Sequence, residues 1–157
     1  MPALAGLPGP EGVPIMPLLL ESSIYSFSIY TALNALIMLV LSMLVVRARV
    51  TTATDIGDGG KPAMAGPLRA HANNAEYVPM GLLLIWALAS PLGGAAWMIH
   101  GVGAPLTLGR ILHAIGLSRS TGPSTLRLVG MVLTWIAYIV GIASIVFLVF
   151  FHPSTVQ

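Results

Sequence analysis

Four stretches of this sequence are nearly emptied of charge over lengths that approach what a lipid bilayer demands, and no other feature limits its fold so severely. A bilayer core calls for about 20 mostly apolar residues in a spanning helix. The stretches run about Ser23–Val46, Leu68–Ser90, Ala95–Leu117 and Leu126–Phe151. The first and last are almost free of charge, whereas the second is apolar only after its opening turns and the third contains Pro105 and Arg110. Pro79 and Pro105 would break soluble helices, but membrane bundles accommodate such prolines as kinks. Charged residues make up 8% of the chain, against about 25% in soluble domains, so most of the surface is expected to face lipid. The expected fold is therefore all-α: an integral-membrane four-helix up-down bundle over residues 23–152. Residues 1–22 read as a poorly structured N-terminal extension, interrupted by Pro8, Pro10, Pro14 and Pro17, and residues 153–157 as a tail.

Charge placement predicts topology. Arg47, Arg49, Lys61, Arg69, Arg110, Arg119 and Arg127 all lie in or beside the first and third connections. The positive-inside rule puts those connections in the cytoplasm and both termini on the other side. The chain has no cysteine, which removes disulfides, thiolate metal sites and a protein thiol nucleophile, so any catalytic thiol must arrive with a substrate. A net charge of +2 with no basic-aromatic pattern gives no reason to expect nucleic acid, and no metal site is expected. The run Asp55-Ile-Gly-Asp-Gly-Gly60 in the first connection lacks the order of a phosphate-binding P-loop and reads as a flexible, solvated loop.

The second stretch opens on a polar run. Arg69, Asn73, Glu76 and Tyr77 recur at i, i+4, i+7 and i+8, which places them on one helical face. Charge deep in a membrane helix is expensive and needs protein or a water-filled cavity around it. From spacing alone, a structural Arg69–Glu76 pair is as good a reading as a binding face. Arg110 and His113 share a face of the third helix, flanked by Leu106 and Leu117; a lone histidine there is more often a hydrogen-bonded interior residue than a catalyst. Arg127, Arg47 and Arg49 sit at helix ends, where the default reading is an anchor that snorkels to headgroups. His100 and His152 read as isolated, with no chemistry assigned. Cations from the same end of all four helices, joined by Asn73, Glu76 and Tyr77, suit a small anionic peptide-like ligand. Arginines take carboxylates in bidentate fashion, and a glutamate can take an ammonium group. Glutathione fits that description and carries the missing thiol.

Arg69-Ala-His-Ala-Asn-Asn-Ala-Glu-Tyr-Val-Pro79 resembles the second-helix signature of the MAPEG family, the membrane-associated proteins in eicosanoid and glutathione metabolism. Gly109-Arg-Ile-Leu-His113 resembles the third-helix motif of its prostaglandin E synthase branch, and Gly57–Gly60 is similar to a loop of the small bacterial members. The resemblance covers about Ser23–Phe151. It implies a homotrimer, in a bacterial inner membrane, with glutathione between subunits near the cytoplasmic face. Arg69, Asn73, Glu76 and Tyr77 would bind it, with Arg47 and His113 contributing; Arg110 matches a family arginine whose role is as readily structural. Arg127 falls where the family's thiolate-stabilising arginine lies. A positive charge there would lower the thiol pKa from about 8.5 and release the nucleophile for a hydrophobic small molecule or lipid electrophile. Leu117 stands where the eicosanoid synthases have a tyrosine, and Ala72 and Leu128 stand where the prostaglandin enzyme has an arginine and a serine. That departure favours a broad glutathione transferase, with or without peroxidase activity, over a dedicated eicosanoid enzyme. A non-catalytic lipid-binding protein of the same fold and a small transporter or structural protein are the competing readings.

Overall fold

A computed structural model describes residues 22–90, 92–119 and 122–151. Four helices account for nearly all of them: α1 (Ser23–Thr52), α2 (Pro62–Ala89), α3 (Ala96–Arg119) and α4 (Thr125–Phe151). The N-terminal extension and the C-terminal tail, with His152, lie outside the described residues. α1 and α4 are each long and apolar enough to cross a membrane. Leu36, Leu39 and Val46 on α1 and Ile139, Phe150 and Phe151 on α4 are all more than half exposed. Apolar cover this extensive has no place on a water-facing monomer. The chain is a membrane helical bundle.

Two helices extend past the apolar runs that announce them. α1 continues through Arg47–Thr52, where polarity rises but helix-forming Arg and Ala persist, and it stops at Ala53 in a left-handed conformation (φ 47°). α2 begins at Pro62, not at Leu68, because proline at the first helical position is preset for a helix start. Pro67, Pro79 and Pro105 all lie inside helices. Two residues before Pro79, the Tyr77 carbonyl accepts a hydrogen bond from the Tyr138 hydroxyl at 2.6 Å, which ties α4 to this part of α2.

The core runs up the centre of the bundle through Ile85, Leu88, Ile99, Val102, Leu106 and Ala137. At one end, Leu41, Ala70 and Leu117 form a second cluster. α3 and α4 touch backbone to backbone. A Cβ added to Gly130 would stand 2.6 Å from the Gly109 carbonyl oxygen and 2.6 Å from the His113 nitrogen, and one on Gly116 would stand 2.9 Å from the Arg127 nitrogen. Small residues are what permit such approach in membrane bundles, and the result sets His113 and Arg127 side by side.

The first connection is more ordered in its bonding than a solvated loop requires. Arg49, expected to reach toward headgroups, turns back instead: its Nη1 donates to the carbonyls of Thr54 (3.3 Å), Asp55 (2.9 Å) and Gly57 (3.2 Å). Lys61 caps the carbonyls of Thr52 and Ala53. Gly57, Gly59 and Gly60 all adopt positive φ, so the chain can curl around these two cations.

Candidate functional site

α3 carries Arg110 into the middle of the bundle, where its side chain is 1% exposed. Two neighbouring helices, α2 and α4, supply its contacts. Nη1 donates to the side-chain Oδ1 of Asn73 on α2 at 2.7 Å. Nε and Nη2 donate to the Thr134 hydroxyl of α4 at 3.1 and 2.7 Å, and that hydroxyl donates onward to the Gly130 carbonyl at 2.8 Å. Nη2 also lies 3.5 Å from the Met131 sulfur, and the guanidinium carbon sits 5.1 Å from the centre of the Tyr77 ring, within cation–π range. Every one of these partners is neutral. A buried cation without a carboxylate costs several kcal/mol in desolvation that Coulomb attraction does not offset, so this centre favours an anion nearby.

One turn along α3, His113 is also buried. Its Nδ1 faces the Arg127 carbonyl oxygen at 3.4 Å. Arg127 itself donates from Nη1 to the Gly122 carbonyl at 2.7 Å. Both side chains line an open groove of about 840 Å³ along α4, with Ser124, Leu128, Met131 and Trp135 among its other walls. Met131 belongs both to this groove and to the surroundings of Arg110. The groove is thus apolar along α4 at Leu128, Met131 and Trp135, with the Arg127 cation at the start of that helix and His113 as its α3 wall.

The polar face of α2 divides. Asn73 and Tyr77 turn inward to Arg110, while Arg69 and Glu76 point outward and are exposed, with no ion pair joining them. The structural Arg69–Glu76 clamp is therefore not what holds this face. Arg47 is likewise exposed, near the end of α1. Of the residues singled out from sequence, one chain brings Asn73, Tyr77, Arg110, His113 and Arg127 together, and leaves Arg47, Arg69 and Glu76 on its outer surface. Thr134 and Tyr138 complete the cluster from α4. Nothing marked them in the sequence except that each is a polar group in an otherwise apolar helix.

His100 also departs from expectation. It is not isolated: Nδ1 meets the Tyr30 hydroxyl at 2.9 Å and Nε2 meets the Ser26 hydroxyl at 3.3 Å. Further along the same two helices, Asn34 donates to Thr107 at 2.9 Å. These bonds tie α1 to α3, away from the Arg110 cluster.

The MAPEG family model matches residues 27–147, a span that includes α2 and α3 whole, most of α1 and α4, and every residue of this cluster. The chain belongs to the MAPEG family. Among curated relatives, the inner membrane protein YecN of Escherichia coli strain K12 is 34% identical over 111 residues, covering 70% of this chain and 82% of the relative. The same protein from Escherichia coli O6:H1 matches to the same extent. No solved structure matches the chain. Family membership accounts for the second-helix signature and agrees with the membrane bundle seen here.

Proposed function

We propose that this MAPEG protein is a membrane-bound glutathione S-transferase that activates the glutathione thiolate for attack on hydrophobic electrophiles or lipid hydroperoxides. The observation that carries the reading is the fully buried Arg110, held only by neutral partners and one turn from a groove lined by His113 and Arg127. Such a centre suits a peptide-like anion: carboxylates pair with guanidinium groups, and Arg127 can hold a sulfur anion at the groove wall. The thiolate forms a bond to carbon of the electrophile while the leaving group departs with its electron pair. With a hydroperoxide the thiolate attacks the peroxide oxygen instead, breaking the O–O bond to give an alcohol and a glutathione sulfenic acid, which a second glutathione converts to the disulfide with release of water. The apolar walls at Leu128, Met131 and Trp135 suit a partner that comes from the bilayer.

The outward placement of Arg47, Arg69 and Glu76 fits a site completed by a neighbouring subunit of a homotrimer. The ends of the helices that carry these basic residues would face the cytoplasm, with four membrane crossings in all. A thiolate titration tests the assignment. Purified protein with glutathione should absorb as thiolate near neutral pH, and Arg127→Ala should remove that absorbance while leaving binding largely intact. Absence of both glutathione binding and thermal stabilisation by glutathione would sink the transferase reading. Binding without thiolate would favour a non-catalytic role, and a strictly monomeric protein in mild detergent would count against the shared site.

A further inference from the structure

α3 has a second working face. Opposite Arg110 and His113, its residues Ile111, Ala114, Ile115 and Ser118 form one wall of a groove of about 510 Å³, and Leu36, Val40 and Leu44 of α1 are on the other wall. Apart from its end, the lining is apolar, and Leu36, Val40, Leu44, Ile111 and Ile115 are all at least a third exposed. From Leu36 to Leu44 the helix advances about 12 Å, which suits an extended hydrocarbon segment. The groove ends at Arg119, in the last turn of α3, exposed and with no hydrogen bond or ion pair to the described residues. Arg47, three residues beyond Leu44, falls on the same stripe of α1 and is also exposed.

An apolar channel closed by a cation at the bundle's basic end has the polarity of an anionic amphiphile, tail along the helices and phosphate at the arginine. We propose that this groove holds an acyl chain of an anionic phospholipid from the surrounding bilayer, with Arg119 contacting its phosphate. The charge complementarity selects this occupant over a zwitterionic lipid. One basic residue close to an anionic headgroup is worth about a fivefold preference. The site lies on the far side of α3 from the glutathione groove, so its occupancy does not depend on the proposed activity.

The test uses full-length protein in an uncharged detergent, offered phosphatidylglycerol and phosphatidylcholine with matched acyl chains, and counts retained lipid by native mass spectrometry. Wild-type protein should retain phosphatidylglycerol roughly fivefold over phosphatidylcholine. Arg119→Gln, an exposed substitution, should level the two lipids while glutathione binding stays unchanged. Ala114→Trp, which fills the groove, should lower retention of both. Equal retention by the wild type, or a preference that survives Arg119→Gln, would overturn the proposal. So would an Ala114→Trp protein that loses self-association while the wild type retains neither lipid, because a second copy of the chain would then be the occupant.

Discussion

Two polar seams cross this bundle, and they are built on opposite principles. The seam between α1 and α3 is neutral. Ser26, Tyr30 and His100 bond among themselves, and Asn34 bonds to Thr107, leaving the side-chain Oδ1 of Asn34 as a buried oxygen without a partner. The seam around Arg110 is charged, and its partners Asn73, Thr134, Met131 and Tyr77 carry no charge to match. A neutral network that leaves one oxygen unpaired costs less than an unpaired charge, and its remaining bonds still fix two helices in register. A charged one that lacks a counterion within the chain is incomplete by construction. The first seam serves the fold, and the second is the one that the proposed function gives a ligand.

The largest expected effect comes from separating the helices that hold the charged seam. Gly130→Val sets a side chain against the Gly109 carbonyl and the His113 nitrogen, neither of which can swing aside. It should cost about 3 kcal/mol of stability, read as a lowered midpoint in thermal unfolding in detergent, and glutathione should no longer restore it. An unchanged midpoint would mean that α3 and α4 do not meet as described.

Arg110→Met separates the two principles more cleanly. A methionine can occupy much of the volume without the charge, so the ligand-free protein should be as stable as wild type or more so. Glutathione affinity should fall by roughly tenfold or more, the worth of a charge-assisted hydrogen bond, measured by calorimetry. Loss of several kcal/mol of ligand-free stability would recast Arg110 as a structural clamp. The smallest effect is expected at the neutral seam. Tyr30→Phe removes one hydroxyl contact to His100 and should destabilise by about 1 kcal/mol with no change in glutathione affinity. A shift in affinity would show that the seams communicate.

The sequence announces the charged seam better than the neutral one, because arginine in an apolar stretch stands out and serine or tyrosine does not. Even so, its polar stripe on α2 is only half legible. With about 100° per residue, Asn73 and Tyr77 lie roughly 40° and 80° round from Arg69, while Glu76 lies about 20° to its other side. A neighbouring helix therefore takes one edge of the stripe and leaves the other outside. No periodicity count reveals which edge. On α1, Ser23, Ser26, Tyr30 and Asn34 also recur at helical spacing, a signal that was present but weak in chemistry. Helix existence was readable from charge depletion. Helix ends were not, since hydropathy reports where lipid stops, and α1 and α2 continue as helices beyond it.

The glycine contacts between α3 and α4 have a mechanical consequence. Two helices in backbone contact along a line of missing side chains have no compressible layer between them, so they behave as one stiff plate. Arg110, His113 and Arg127 are all fixed to that plate. Asn73 and Tyr77 are fixed to α2, which meets the plate through the Leu106 side chain at Gly81 and comes within backbone reach of it at Gly66, where a Cβ would stand 2.9 Å from the Leu117 carbonyl oxygen. Under the proposed function, widening the site for a bulky molecule would then swing the middle of α2 about its Gly66 contact and away from α3 and α4, and amide hydrogen exchange should be faster around Asn73–Tyr77 than along the α3–α4 contact line.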